Sequence, residues 1–340
     1  MNWRQFASSS RMLYALAALA LVLLFAECMI LALGGDLHAA SATAWAGTWG
    51  TSYSAAQVVF RATTLLIVAV ASEFALRAGV VSVAVEGQVG LACWVSAVVA
   101  VRFPVVGLLG AVVSGMLAAA LLGAGIAWLY ARRGVNVVLS GLLLNPLVAV
   151  LVSFGLAHGA GVHGTVRTAS VSPDFRLARV DAWWHAAKGT SLSSAWVLAP
   201  LLLGFMCVYF ARTVAGAETA LVGLNPRACR AEGVPVERRV AQALLLSASV
   251  AALASLPLVF GGKGYFEDGM GAGLGFSGLA VAMMARGSAW RLGSIALGVA
   301  TLEQAALACH AYLPRDAAGV LLALFLIALC AADAKKGRVQ

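Results

Sequence analysis

The sequence predicts an all-α polytopic membrane protein of about ten transmembrane helices, from its composition, its long apolar runs and the placement of its basic residues. Apolar residues make up 62% of the 340-residue chain, charged residues only 11%, and the mean hydropathy is +0.93. A soluble domain uses roughly 25% charged residues to cover its surface. We therefore expect the apolar surface to face lipid, in one transmembrane domain over residues 1–340.

The apolar runs give the number of helices. A helix needs about 20 apolar residues to cross the hydrocarbon core, and two runs are shorter, Val89–Val101 and Gly275–Ala285. Counting both gives ten crossings. The clear runs are Met12–Leu33, Ala62–Ala78, Val105–Ala131, Val135–Leu156, Ala195–Ala211, Val240–Phe260, Leu292–Ala308 and Ala317–Ala332.

The first run is expected to be an uncleaved helix. At Met12–Leu33 it exceeds the roughly 7–15 residues of a secretory signal core. Small residues near Ala39–Ala44 leave cleavage open as an alternative.

The basic residues set the predicted topology. If there are ten helices and the N-terminus is cytoplasmic, most of the 23 Lys and Arg residues fall on the cytoplasmic side. Cytoplasmic loops of membrane proteins carry such an excess of basic residues. Both termini and the segment 212–239 are then cytoplasmic, whereas Gly34–Arg61 and the long loop 157–194 lie outside. The net charge of +9 reflects this topology, and no nucleic-acid partner is expected.

The two short crossings indicate a solute pathway. Each is flanked by glycine, Gly79 and Gly87 in the first and Gly269–Gly278 in the second, at comparable places in two pseudo-repeated halves. Broken half-helices at matching positions are a pointer to a transporter's binding site. Irregular backbone inside a bilayer has to line a cavity or be buried in protein. Close helix packing through glycine is the alternative.

A short, well-terminated helix is predicted within the cytoplasmic segment. Asn225 can cap its first turn, Pro226 suits the first helical position, and Gly233 suits the residue after the last turn. Small residues and two arginines lie between them. A docking helix for a cytoplasmic partner is the favoured interpretation, and a structural elbow is the alternative.

Polar residues at membrane depth are few. Glu86, between the glycines of the first break, is assigned a pathway or helix-positioning role, because a charge there usually faces protein or water. Asn145 could bond to a neighbouring helix, and Glu73 could pair with Arg77 along its own helix. The six cysteines and five histidines show no metal-binding or disulfide spacing.

Four stretches resemble the permease subunits of bacterial ABC importers of the nucleoside, simple-sugar and branched-chain amino-acid type. They are Gly79-Val-Val-Ser-Val-Ala-Val-Glu86-Gly87-Gln88, Leu142-Leu-Leu-Asn145 followed by Ser172-Pro173 in the long loop, Val222-Gly-Leu-Asn-Pro-Arg-Ala228, and Gly275-Phe-Ser-Gly-Leu-Ala-Val-Ala282. Each is weak alone, but they follow in the family's order over about residues 60–310.

The resemblance implies a dimeric permease core, of identical or paralogous subunits, in a bacterial cytoplasmic membrane. It implies two cytoplasmic ATPase subunits and an extracytoplasmic substrate-binding protein as partners. ATP would be hydrolysed on the ATPase, since the chain has no GxxxxGK[ST] loop, and no cofactor or metal is expected on the chain itself. The implied pathway residues are Ser82, Glu86, Gln88, Asn145, Phe276 and Ser277. The implied coupling residues are Gly223, Asn225, Pro226, Arg227, Ala228, Arg230 and Gly233.

Departures from the family pattern bear on the solute. Ser82 stands where the family often has Asn, Ala84 where it has Gly, Ser277 where a more polar residue is common, and Ala220 where an Arg is common. Weaker hydrogen-bonding groups disfavour a sugar, which needs dense polar contacts. We therefore expect a planar ring system with one polyol arm, either a purine nucleoside or a flavin such as riboflavin. A permease for simple sugars or branched-chain amino acids is the alternative within the family.

Two other classes of function are weaker. An ion-coupled secondary transporter would use intramembrane carboxylates in both halves, but Ser277 stands where a partner to Glu86 is needed. A membrane-embedded enzyme would need clustered His, Asp or Cys residues. His158, His163 and His185 share one loop without metal-binding spacing.

Overall fold

The computed structural model describes residues 36–180 and 189–310, together with Leu31 and Val320. These residues form α-helices joined by turns, short 3₁₀ and π segments and irregular chain, with three isolated β-bridges. The helices are α1 (Leu37–Thr48), α2 (Ser52–Arg77), α3 (Val85–Arg102), α4 (Gly107–Arg133), α5 (Val137–Gly155), α6 (Leu198–Arg212), α7 (Val214–Leu224), α8 (Pro226–Ala231), α9 (Val236–Ala252), α10 (Leu274–Ala285) and α11 (Ala289–Ala308).

The predicted crossings within the described residues are all helical, which confirms the fold class. In the described part of the chain, six helices are long and apolar enough to cross a membrane, and α7 and α10 are shorter apolar helices. The predicted runs Met12–Leu33 and Ala317–Ala332, apart from Leu31 and Val320, lie outside the described residues. The chain is therefore a multi-pass α-helical membrane protein.

The stretch Gly34–Arg61, which the charge pattern places outside, is largely helical, since α1 and the first turns of α2 occupy most of it. The Asp36 carboxylate accepts the His38 backbone N–H at 2.9 Å and caps α1. The Thr51 hydroxyl accepts the Ser54 backbone N–H at 3.1 Å at the start of α2. Capping side chains and alanine favour a helix whatever the hydropathy of the stretch.

The first short crossing is longer than expected. Helix α3 begins at Val85, four residues before the apolar run at Val89, and its 18 residues are enough for a crossing. The polar residues Glu86 and Gln88 therefore lie in its first turn. In the second half the expectation of a short helix is confirmed, since α10 has 12 residues.

The helices differ in how much of their surface other parts of the chain cover. More than half of the apolar stretch is buried in α2, in α3 and in the span that starts at Val236, against less than a third in α4, α5 and α6. Close packing uses small residues: Gly115 of α4 lies against the Ala92 carbonyl of α3, and Gly123 against Leu244 and Ala248 of α9. Side chains such as Leu109 and Leu121 on α4 are exposed and suited to lipid.

The chain divides into two compact units, Val59–Ala296 and the pair of segments Met1–Val58 and Leu297–Gln340. In the second unit, the described part brings Gly47 of α1 against the Ala308 side chain, and the Cys309 thiol donates to the Ala40 carbonyl. The unit Val59–Ala296 contains both broken segments and the predicted coupling residues.

Candidate functional site

The first break in the helical structure separates α2 from α3. Helix α2 ends in a left-handed glycine, Gly79, with φ +78°. The Gly79 N–H donates to the Leu76 carbonyl at 2.9 Å, and the Val80 N–H to the Ala75 carbonyl at 3.2 Å. This Schellman arrangement satisfies the last carbonyls of α2 and turns the chain out of the helix. Residues 80–84 are then non-helical until α3 begins.

The side chain of Asn145, on α5, braces this break. Its Nδ2 donates to the Val83 carbonyl at 3.0 Å, and its Oδ1 accepts the Gly87 N–H at 3.0 Å. One amide thus pairs with a carbonyl before α3 and an N–H in its first turn, groups that lipid would leave unsatisfied. Helix α5 can come this close because Gly141 has no side chain. A Cβ at that position would lie 2.7 Å from the Ala84 nitrogen.

The second break, residues 264–273, is built from glycine turns. A π-helical segment, Leu256–Lys263, ends at Gly264, and three glycines with positive φ follow at alternate positions, Gly269, Gly271 and Gly273. Each is the third residue of a turn closed by a hydrogen bond from the fourth residue to the first, at 3.0–3.1 Å. A positive φ at that position favours glycine, which explains the alternating pattern.

The two breaks meet at Glu86. Its Oε1 accepts the N–H of Gly273, the residue that precedes α10, at 3.1 Å. A Cβ on Gly275 would lie 2.5–2.6 Å from the nitrogen, Cα and Cβ of Glu86, so glycine allows the two backbones to touch. A carboxylate at a helix N-terminus is favourably placed for the free amides and the helix dipole. Glu86 therefore caps the half-helix of the second half.

A cavity of about 290 Å³ opens between the two breaks. Its lining includes Glu86, Gly87, Asn145, Val148, Phe266 and Met270. The volume lies just below the range of about 300–1,000 Å³ that is usual for small-molecule sites. Apolar side chains with a few convergent polar groups are typical of such sites.

The cavity brings together two of the six predicted pathway residues, Glu86 and Asn145. The others are described but lie outside its lining: Ser82 and Ser277 are buried, Gln88 is 1% exposed, and Phe276 is 50% exposed. Within the described part of the chain, three polar atoms at the first break are buried without a hydrogen-bond partner: Ser82 Oγ, Glu86 Oε2 and Gln88 Oε1. Buried polar atoms are normally paired, and of these three only the Glu86 oxygen belongs to a residue that lines the cavity.

The predicted outer loop packs onto the start of the second break. The Thr168 N–H donates to the Phe266 carbonyl at 2.8 Å, and the Asp268 N–H to the Val166 carbonyl at 2.9 Å. The Ser153 hydroxyl, at the end of α5, donates to Asp268 Oδ2 at 2.8 Å. The loop therefore fixes the end of the cavity formed by residues 266–272.

The predicted coupling helix has the local structure expected of it. Asn225 Oδ1 accepts the N–H groups of Arg227 and Ala228, both at 3.1 Å, and Pro226 is the first helical residue. Gly233 has φ +80°, and the Val234 N–H reaches the Cys229 carbonyl at 2.9 Å, a second Schellman ending.

Helix α8 presents most of its surface to solvent. Pro226, Arg227, Ala228 and Arg230 are exposed, whereas Cys229 is 8% exposed and packs into a core cluster. The cluster includes Ala78 and Ala84, which border the first break. Arg230 pairs with Glu237 at 2.8 Å, so the helix is attached at its base and open on its outer face.

Gly223, the remaining predicted coupling residue, lies at the end of α7 instead of on α8. A Cβ there would lie 2.2 Å from the Arg77 carbonyl oxygen and 2.9 Å from the Gly79 nitrogen. Gly223, two residues before the cap of the coupling helix, therefore abuts the residues where the first break starts.

The sequence did not single out Asp268 or Met270 for the site, or Gly141. The alternating glycines around Met270 could have indicated successive turns, because glycine is favoured at the third position of each. Asp268 had no local signal, since its partner Ser153 is 115 positions away. Among the described residues, no group of three or more His, Cys, Asp or Glu could hold a metal ion.

Comparison with known proteins gives a family match. Residues 54–330 match the model of the branched-chain amino acid transport system / permease component family. No solved structure matches the chain.

Three curated relatives are similar over much of their length. The glucose ABC transporter permease protein TsgB13 of Haloferax volcanii is 29% identical over 71% of this chain and 66% of its own. The nucleoside ABC transporter permease protein NupB of Lactococcus lactis is 25% identical, over 65% and 63%. The guanosine ABC transporter permease protein NupP of Bacillus subtilis is 26% identical, over 81% and 80%. The chain thus spans slightly less than two thirds of the first two relatives.

Proposed function

We propose that this chain, which belongs to the branched-chain amino acid transport system permease component family, forms the translocation pathway of an ATP-driven importer. The observation that carries the proposal is the cavity between two broken helices, which Glu86 and Gly273 join directly. Broken helices that meet around a cavity are how transporters expose backbone and polar groups to a solute at membrane depth. The family and the three relatives, all named as permease proteins, support this function.

The exposed helix α8 supports a cytoplasmic ATPase as the partner that drives transport. Its two caps satisfy backbone groups at both ends, and Cys229 anchors it in a core cluster beside the first break. Arg77, Gly223, Leu224 and Arg286 line one cleft, so α8 adjoins residues that the charge pattern assigns to the cytoplasm. We propose a second permease subunit, identical or paralogous, an extracytoplasmic substrate-binding protein, and a location in the cytoplasmic membrane with both termini inside.

A purine nucleoside is the solute that we propose. Two of the three relatives are named for nucleoside or guanosine transport. The cavity is small and mostly apolar, with the Glu86 carboxylate and the Asn145 amide at its wall, which suits a planar base better than a polyhydroxylated ring. Riboflavin shares the planar ring and polyol arm, but it is larger than a nucleoside.

Glucose is the competing solute, since one relative is named for it. A sugar needs hydrogen bonds around its whole ring, and polar groups are few among the residues that line the cavity. The two solutes are therefore separable by experiment.

The test is uptake into vesicles that contain the chain with its ATPase and binding protein, purified together from the native membrane. We expect ATP-dependent uptake of labelled guanosine or adenosine, reduced by an excess of unlabelled nucleoside and unaffected by glucose. If glucose or riboflavin reduced the uptake and unlabelled nucleoside did not, that compound would be the solute instead of a nucleoside. Uptake driven by an ion gradient without ATP would contradict the importer itself.

The docking role of α8 has its own test. Ala228→Glu places an acidic residue in the first turn, where it favours the helix, while changing the exposed face. We expect it to abolish co-purification of the ATPase and ATP-dependent uptake, with the chain still folded. Arg133→Gln, also at an exposed site but at the end of α4, is the control and should leave both intact. Normal association and uptake in Ala228→Glu would exclude α8 as the docking element.

A further inference from the structure

The side chain of Arg77, the last residue of α2, contacts its own helix, α6 and the turn that follows α10. Its Nε donates to Glu73 Oε1 at 2.9 Å, one turn earlier on α2. A terminal nitrogen donates to the carbonyl of Gly287, immediately after α10. The guanidinium carbon also lies 4.2 Å from the centre of the Phe210 ring, near the end of α6. A planar guanidinium can make these contacts together, whereas an ammonium is a single point charge.

The backbone around Arg77 meets the coupling segment, Gly223–Gly233, which contains α8. Gly223 at the end of α7 lies against the Arg77 carbonyl and the Gly79 nitrogen so closely that no side chain fits between them. Asn225, two residues later, caps α8. If α8 moves along the axis of α7, the backbone contact at Gly223 transmits the movement to the residues where the first break starts. Packed backbones cannot compress to absorb it.

The turn held by Arg77 is strained. Arg286 has φ +48°, a left-handed conformation unfavourable for a residue with a side chain, and Gly287 follows with φ +80°. Such a conformation persists where surrounding contacts impose it. The hydrogen bond from Arg77 to the Gly287 carbonyl is one such contact. This turn ends α10, whose other end abuts Glu86 through Gly275.

The meeting point borders open space. A cleft of about 570 Å³ lies beside it, lined among others by Glu73, Arg77, Gly223, Leu224, Met283 and Arg286. Leu224 is 83% exposed there. The helix ends therefore have room to shift on this side while the Arg77 contacts keep them together.

We propose that Arg77 is a positioning residue that transmits movement of the coupling segment to both broken segments. Its main-chain carbonyl lies beside the Gly79 nitrogen where Gly223 packs against the start of the first break, and its side chain reaches the second break through Gly287 and α10. The inference rests on the proposed importer function, and it assigns Arg77 no contact with solute. The Glu73–Arg77 pair expected from the sequence is present, but the contacts with Gly287 and Phe210 carry the proposed role.

The test compares uptake per ATP hydrolysed in reconstituted complexes. Arg77→Gln alone would leave Glu73 buried and unpaired, which threatens folding, so the main variant is the double substitution Glu73→Gln with Arg77→Gln. We expect normal complex yield and basal ATP hydrolysis, but a fall of about tenfold in nucleoside uptake per ATP, the order expected for losing a charge-assisted hydrogen bond. Glu73→Gln alone should reduce this ratio much less.

Two further variants separate positioning from structure. Arg77→Lys keeps a positive charge beside Glu73 but loses the fork of donors, so we expect normal yield with reduced uptake per ATP. Arg212→Gln, an exposed arginine at the end of α6, should match the wild type.

The outcomes distinguish this inference from the proposed function. An unchanged ratio in the double variant and in Arg77→Lys would overturn the inference alone, as would a lower yield with an unchanged ratio, which marks a merely structural residue. An equal fall in Arg212→Gln would also overturn it. Absence of ATP-driven uptake in the wild type would overturn the proposed function, and the inference with it.

Discussion

The first broken segment is braced by a side chain from another helix, whereas the second is shaped mainly by its own glycines. Asn145 makes both of its hydrogen bonds to the first break, which has a left-handed residue only at Gly79. The second break closes three successive turns with backbone hydrogen bonds, and its tie to the first is Glu86. The same need to pair backbone groups inside a membrane is met by a side chain from another helix in the first break. In the second it is met by local turns from Glu267 onward, while Phe266 and Asp268 also pair with the outer loop.

The difference predicts different responses to change. A segment held by one amide loses its conformation when that amide is lost. A glycine segment has more conformations available, but it tolerates no side chain where backbones touch. We therefore expect the first break to depend on Asn145 and the second on the absence of a Cβ.

The largest expected effect is for Asn145→Ala. It removes a donor and an acceptor together, and each buried group left unpaired costs about 1–3 kcal/mol, so a total of about 2–6 kcal/mol is expected. The measurement is thermal unfolding of the purified chain in detergent. Asn225→Ala, which removes an exposed cap, should cost only about 1 kcal/mol. Equal unfolding temperatures for the two variants would show that Asn145 does not brace the break.

The next largest loss of stability is expected for Gly275→Ala. Its Cβ would meet the Glu86 backbone at 2.6 Å, which main-chain atoms have to relieve by moving, and overpacking of this kind costs about 1–3 kcal/mol. Gly125→Ala in α4, where a Cβ meets nothing within 4 Å, is the matched control and should be neutral or stabilising. A Gly275→Ala chain as stable as the Gly125→Ala chain would mean that the half-helices are not in close contact.

Two substitutions of Glu86 distinguish its capping hydrogen bond from its negative charge. Glu86→Gln keeps an oxygen for the Gly273 N–H, so we expect little change in unfolding temperature. Glu86→Ala should cost about 1 kcal/mol, the usual value of a lost N-terminal cap. Equal stability of the two variants would contradict the cap. Uptake by the stable Glu86→Gln variant then tests whether the negative charge itself is needed.

The smallest effect on stability is expected for Ser82→Ala. Its hydroxyl is buried without a partner among the described residues, and removing an unpaired polar group is neutral or stabilising by up to about 1 kcal/mol. A clear loss of stability would show that the hydroxyl is hydrogen-bonded. Reduced nucleoside uptake with unchanged stability would place it in the solute pathway.

Features encoded locally were predictable from the sequence. The apolar run of α4 fixes a crossing because about 20 residues suffice to define it. The caps of α8 at Asn225 and Gly233 were predicted and are confirmed, since each depends on residues within one turn. Helix α1 was missed because hydropathy was the criterion, although Asp36 followed by an alanine-rich stretch was a helix signal.

Long-range partners were not predictable from one sequence. Asn145 was identified as a membrane-embedded polar residue, but nothing local indicates Gly87, 58 positions away, as its partner. The contact between Gly79 and Gly223 is similar, because a glycine shows that space is limited without showing what fills it. The pathway role of Glu86 stays a proposal, whereas its contact with Gly273 is a finding of the structure.

The burial of Cys229 makes the coupling helix able to report on its own attachment. The thiol is covered only while α8 rests on its core cluster, so a maleimide reagent can modify it only when the helix lifts. In a chain whose other five cysteines are replaced by alanine, the labelling rate would follow that lifting in real time. If the labelling rate slows when the ATPase binds and changes with ATP, it measures the movement of α8 during the transport cycle.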